Sequence, residues 1–321
     1  SREADESYSR WYLGSPLPVG GELFALVEER KQIRLDVLSA SSGETLWSQP
    51  LADIDLDHDI QNRGDRRQAG LSPAYAGGIV VCPTGGGAVI AVDVAARTLS
   101  WVYRFPVPEP ADVRQLANGI RLRLRVLAGG VAGVREDAGG GVGQRLSRWL
   151  DAAPIVVAGR VLLTPLGLDE LHCIDLRTGQ LRWKRPRGQC VMVAGVVGRS
   201  VILLGQREAL AVSLDDGEPL WEEPTSFSEE QVCGRPLLTD SRLFVPLTTP
   251  AVAEVDVATG TLLGSSPGRG ESLPGNLVAH RGEIISQGVD FLDVFHQTVP
   301  LDRAVETAMA ADPEDPWAIA W

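Results

Sequence analysis

The sequence predicts an all-β chain built from repeated four-stranded units. Three observations predict it. A ten-residue pattern recurs roughly once every forty or fifty residues. Short apolar runs of strand length alternate with turn residues along most of the chain. The 321 residues include 35 glycines and 21 prolines, as a chain with many turns requires. The pattern is clearest in "IDLRTGQLRW", Ile174 to Trp183: apolar, Asp, two variable positions, Thr, Gly, three variable positions, Trp. Looser copies are "LSASSGETLW" (Leu38–Trp47), "VDVAARTLSW" (Val92–Trp101), "VSLDDGEPLW" (Val212–Trp221) and "VDVATGTLLG" (Val255–Gly264).

Each copy sits in one grammar. A short first strand ends in a turn, as in "GSPLPVGGE", "SPAYAGG", "APIVVAGR" and "RPLLTDSR". A strongly apolar second strand follows: "LFALV", "IVVCP", "VLLTP", "LFVPL". The third carries the apolar-Asp pair, and a tight turn leads to a fourth ending in Trp. Four short strands per unit of roughly forty residues is the signature of a β-propeller blade. Asp93, Asp175 and Asp256 open the turn, where a carboxylate accepts bonds from amides two residues on. Gly43, Gly179, Gly217 and Gly260 stand where positive φ is needed. Arg97 replaces that glycine in the second copy, so its turn is expected to be looser or of another type. Trp47, Trp101, Trp183 and Trp221 close the fourth strand, each ring set to pack on the next blade. Gly264 breaks this series, so the fifth blade should be weakly tied there.

Five units and part of a sixth are visible. The propeller is expected over 14–299, with an insertion at 105–150 that lacks strand grammar. "NLVAHRGEIISQGVDFLDVF" (Asn276–Phe295) opens the sixth unit with neither the turn motif nor Trp. Either the ring closes with Trp11–Leu17 as a stray strand, or further blades lie upstream; the second is preferred. The chain begins at Ser1 and ends at Trp321 in mid-pattern, and is expected to be a piece of a longer protein. From 300 to 321 the period turns helical: Leu301, Ala304, Val305, Ala308 and Met309 share one face, and Asp315-Pro316 opens another helix. This resembles the start of a tetratricopeptide array.

The ten-residue signature resembles the PQQ-like β-propeller repeat. That repeat occurs in pyrroloquinoline-quinone (PQQ) alcohol dehydrogenases, in the outer-membrane assembly lipoprotein BamB and in ectodomains of some bacterial receptor kinases. The resemblance implies radial four-stranded blades, often eight, held by a tryptophan-docking motif. With its trailing helical repeat, the chain resembles large envelope proteins of planctomycete-type bacteria. A periplasmic or cell-envelope location follows from that resemblance.

Composition narrows the function. Hydrophobic residues make up 44%, as in a globular chain, and no apolar run is long enough to span a membrane. The net charge of −12 disfavours nucleic acid. Cys82, Cys173, Cys190 and Cys233 show neither CxxC nor zinc spacing. Cys190 and Cys233 hold similar places, about ten residues before a strand by repeat spacing, and are either a disulfide between neighbouring units or two thiols. The quinoprotein pattern includes a vicinal Cys-Cys pair, an Asp base and a calcium triad; Cys-Cys is absent here, and no triad can be placed. No cofactor is expected, neither PQQ nor calcium.

Asp53, Asp55, Asp57 and Asp59 alternate in "LADIDLDHDI" and are the candidate cation ligands. An EF-hand loop needs Gly sixth and Glu twelfth, where His58 and Gly64 stand, so that reading fails. The plainer alternative is a solvated strand face with Ile54, Leu56 and Ile60 inward. His58, His172, His280 and His296 are scattered, and His172 reads as a buried or edge histidine. "GGGVGQRL" (Gly139–Leu146) lacks the lysine and hydroxyl of a phosphate loop and reads as a linker. "RLRLR" (Arg121–Arg125) reads as an edge strand with arginines outward, or a dock for an acidic partner. The expected function is a non-catalytic protein-binding or scaffold propeller. Its partners would be other proteins, held by the propeller faces, the insertion at 105–150 and the downstream helical repeat. The alternatives are a PQQ-dependent dehydrogenase and a sensor ectodomain.

Overall fold

The computed structural model describes residues 10–54, 70–106, 149–228, 230–267, 272–288, 290–296 and 307–310. These residues form successive antiparallel sheets, with the small helical stretch 307–310 beyond them. The first sheet holds β1 (Trp11–Tyr12), β2 (Leu17–Val19), β3 (Glu22–Glu29), β4 (Gln32–Ser39) and β5 (Thr45–Asp53). The second holds β6 (Ala74–Ala76), β7 (Ile79–Pro83), β8 (Ala88–Asp93) and β9 (Thr98–Arg104). The third holds β10 (Ile155–Val157), β11 (Arg160–Leu163), β12 (Glu170–Asp175) and β13 (Leu181–Pro186).

The fourth comprises β14 (Cys190–Val197), β15 (Ser200–Gly205), β16 (Glu208–Ser213) and the two-residue β17 (Thr225–Ser226). The fifth comprises β18 (Leu237–Leu238), β19 (Arg242–Leu247), β20 (Ala251–Asp256) and β21 (Leu262–Pro267). The sixth has three strands, β22 (Asn276–His280), β23 (Glu283–Gln287) and β24 (Leu292–His296). Each sheet runs in chain order, the meander expected of a propeller blade.

Trp11–Leu17 is not a stray strand. β1 and β2 both pair with β3, through Trp11↔Glu28 and Leu17↔Phe24, so they are two halves of the first blade's opening strand. The break falls at Gly14, where an added Cβ would sit 2.7 Å from the Leu71 carbonyl carbon. The Leu71 amide reaches the Leu13 carbonyl at 3.1 Å, and a side chain at 14 would push that segment away.

The chain forms two compact units, Ser1–Met192 with Leu214–Gly217, and Val193–Ser213 with Glu218–Trp321. In the first, adjacent sheets bury shared apolar layers. Phe24, Leu26, Leu35 and Val37 of the first sheet pack with Val80, Cys82 and Val92 of the second. Val81 and Val89, on the opposite face of the second sheet, pack with Val161, Leu163 and Ile174 of the third. The middle strands are therefore apolar on both faces, which is why they read as continuous runs such as "IVVCP" rather than as alternations.

Third and fourth strands share one irregularity. The pairing register shifts at Val37/Leu38, Ala91/Val92, Cys173/Ile174 and Glu254/Val255. Just past each shift, Trp47, Trp101, Trp183 and Gly264 face Val37, Ala91, Cys173 and Glu254. A bulge there re-aims the residue that follows it.

Candidate functional site

The residue past the bulge in the second and third blades is an indole, inside its strand rather than closing it, and Trp221 of the fourth blade precedes β17. Each of the three meets the turn of the following blade. Trp101 Nε1 donates to the Leu176 carbonyl at 2.8 Å, Trp183 to Leu214 at 3.0 Å and Trp221 to Val257 at 3.0 Å. Each ring lies flat against a glycine of the same turn. A Cβ on Gly179 would lie 2.6 Å from the Trp101 ring, on Gly217 2.8 Å from Trp183, and on Gly260 2.5 Å from Trp221. These glycines also take φ of 68°, 78° and 76°, which side chains resist. Gly43 has φ 74° with open space around its Cβ position.

The turn aspartates fix this geometry. Asp175 Oδ1 accepts from the Arg177 and Thr178 amides at 3.0 and 3.1 Å, and from the Thr178 hydroxyl. Arg182 Nη2 reaches Asp175 Oδ2 at 2.6 Å, and with those amides it holds the carboxyl down to about 2. Asp256 repeats the pattern with Ala258 and Thr259, whose amide leads in lowering its carboxyl. Asp93 accepts from the Ala96 amide at 2.8 Å.

Arg97 overturns the expectation of a looser or different turn. Its φ is 54°, the same left-handed conformation as the glycines. Its guanidinium lies 5.6 Å from the centroid of the Trp47 ring. The cation–π contact offsets strain that glycine would avoid.

The acidic run ends where description does: Asp53 closes β5 and accepts from Gln32 Nε2 at 3.1 Å, while Asp55, Asp57 and Asp59 lie outside the described residues. So do Arg121–Arg125, Gly139–Leu146 and nearly all of the insertion at 105–150. Among the described residues, no group of three or more His, Cys, Asp or Glu is placed to hold a metal ion. All four cysteines are thiols, so the disulfide alternative does not hold. Cys190 opens β14 itself, and the Cys233 thiol donates to the Pro274 carbonyl at 3.0 Å. Burial pushes the Cys82 thiol far above its ordinary range and Cys173 to about 11, which leaves little thiolate for nucleophilic chemistry.

One titratable cluster escapes local sequence reading. His172 is 2% exposed, and both ring nitrogens are engaged: Nδ1 with the Tyr103 hydroxyl at 3.0 Å, Nε2 with Glu170 Oε2 at 2.8 Å. Lys184 Nζ completes the chain on Glu170 Oε1 at 2.8 Å. Lys184 and then His172 hold the Glu170 carboxyl below its usual range, while burial and then Glu170 push the Tyr103 phenol up. Phe105 stands edge-on to His172, its centroid 6.3 Å away. It also borders an apolar cavity of about 20 Å³ beside Leu163 and Pro165. That space suits about one water, not a substrate. The cluster is thus a polar tie between the second and third blades. Its signal in the sequence is Glu170 and His172 two apart on one strand face, with Tyr103 two residues past Trp101.

Comparison with known proteins accords with this architecture. The family model described as outer membrane protein assembly factor BamB matches residues 4–142 and 169–289, more than half of the chain. Among solved structures the chain is similar to BamB from Moraxella catarrhalis, with 14% identity and a TM-score of 0.54 over 90% of this chain and 74% of that one. It is also similar, with a TM-score of 0.43 and 14% identity, to the quinohemoprotein alcohol dehydrogenase ADHIIG from Pseudomonas putida HK5, over 81% of this chain and 43% of that one. No curated protein matches. At such identities the structural likeness speaks to fold alone, and the first of the two identifies a β-propeller. With its blades, bulges and matched residues in view, the chain belongs to the family described as outer membrane protein assembly factor BamB.

Proposed function

We propose that this chain is a non-catalytic protein-binding or scaffold propeller of the bacterial cell envelope. The observation that carries this reading is the match to an assembly-factor family over most of the chain. The fold supports it. Indoles seated on glycine turns make a rigid frame, and such frames present loops and strand edges to partners. The fourth strands expose a leucine in blade after blade, at Leu46, Leu99, Leu181 and Leu262. A net charge of −12 directs the chain toward proteins and away from nucleic acid. Within this reading the propeller occupies 14–299, with the insertion at 105–150 as a contact element. Residues 300–321 begin a tetratricopeptide-like repeat that adds a second protein-binding surface, in a periplasmic setting.

The test is a titration of the full-length protein with pyrroloquinoline quinone and calcium, following visible absorbance and melting temperature together. The expected result is a folded protein with no saturable change in either. A saturable shift in both would replace the scaffold reading with a quinoprotein one.

A further inference from the structure

The fifth blade differs from the second and third at its outer strand. β21, "LLGSSP", is exposed at all six residues, and among the described residues its strand partner is β20 alone. Gly264 stands at the indole's register, and a Cβ there would meet nothing within 4 Å. The strand carries no charge. Its counterpart β13 carries Arg182, Lys184 and Arg185, and β9 ends on Arg104. Charged side chains on an outer strand discourage pairing with another chain, and β21 has none.

Beside this strand lies an open cleft of about 330 Å³. Its floor is Phe227, Leu247 and Ala253, which are buried. Its rim includes Leu262 and Ser265 of β21 and the carboxylate of Glu230. Glu230 Oε1 accepts from the Thr249 hydroxyl at 2.6 Å, and among the described residues no cationic side chain lines the cleft. A strand added to an open sheet edge gains affinity from main-chain bonds and specificity from pockets for its alternate side chains. Both parts are present here, and the cleft's volume falls in the range of ligand pockets.

The geometry points to β21 and this cleft as a docking site for an extended segment of another protein, which pairs with β21, places an apolar side chain in the cleft and sets a basic residue beside Glu230. This rests on the protein-binding reading and gives it a location. The basic residue follows from the Glu230 carboxylate on the rim and from the chain's net charge of −12.

The probe is a fluorescein-labelled octapeptide of alternating valine and threonine, with one central leucine followed by arginine, titrated into the full chain by anisotropy. Saturable binding is expected. The double variant Leu262→Lys with Ser265→Lys, at exposed positions, should weaken it by about tenfold or more. Glu230→Lys should weaken it by about two- to fivefold. Peptide with alternate amides N-methylated should not bind. Circular dichroism confirms that the variants fold. Failure of the peptide to bind, or binding unchanged in the double variant, would overturn the site. Self-association abolished by the double variant in sedimentation would also overturn it, by making a second copy the occupant. The quinone titration answers separately for the protein-binding reading, which survives the loss of this site.

Discussion

Trp183 and Gly264 hold the same position in the third and fifth sheets, and their surroundings are opposite. Trp183 is 8% exposed, seated on Gly217 and bonded to Leu214. Gly264 lies on a strand exposed from end to end. The backbone around them is alike: both follow a bulge, and both face the third strand across one register shift. The difference shows that the hairpin does not need the indole in order to form. The indole decides instead whether the fourth strand is covered or left open.

Removing the ring should break the comparison most. Trp183→Ala is expected to destabilise the chain by about 3–5 kcal/mol, read from denaturant unfolding, because it empties a packed seat and leaves the Leu214 carbonyl only the weak Cys173 thiol donor. Filling the seat from the other side comes next. Gly179→Ala should cost about 2–3 kcal/mol, since the new methyl collides with the Trp101 ring while φ stays left-handed. The same change at Gly43, where nothing is near, should cost only the conformational part, about 1 kcal/mol.

Arg97 sharpens the comparison at a smaller scale. Arg97→Ala keeps the left-handed strain and loses the contact with Trp47, for an expected loss of about 0.5–1 kcal/mol. Arg97→Gly loses the same contact but relieves the strain, and its unfolding midpoint should stay near that of the parent. Equal losses in both variants would show that strain plays no part in this turn. Gly264→Trp should change stability by less than about 0.5 kcal/mol, and its added fluorescence should be that of an indole in water.

Acid tests the turn itself. The Asp175 carboxyl is held down to about 2 in the folded chain, led by Arg182. The stabilisation it brings is fully present above the ordinary carboxylate range, near about 4, and is lost as pH falls toward about 2. Melting temperature should therefore decline through that window, and Asp175→Asn should make the decline shallower.

The legible part of the fold is what repeats locally. Apolar runs, two-residue turns and the Asp-x-x-Thr-Gly motif each reflect chemistry within a few residues of chain, so strand order follows from reading along it. What could not be read depends on residues far apart in sequence. Tyr103 and His172 are 69 positions apart, and nothing near either marks the other. Arg97 reads as a broken turn because its compensation, the Trp47 ring, lies a whole blade upstream. Trp11 and Tyr12 read as surplus because Gly14 interrupts a strand whose two halves meet only on β3.

Every indole bond described here points forward along the chain. Trp183 and Trp221 precede their acceptors by 31 and 36 residues, and Trp101 by 75. During synthesis each ring therefore leaves the ribosome before the turn that will receive it. Loss of blades from the two ends is not equivalent. A chain shortened at its C-terminal side strands an apolar ring in water, a sticky surface that invites aggregation or degradation. One shortened at its N-terminal side leaves no indole without its seat, and uncovers a vacant glycine turn along with the apolar face that the lost blade covered.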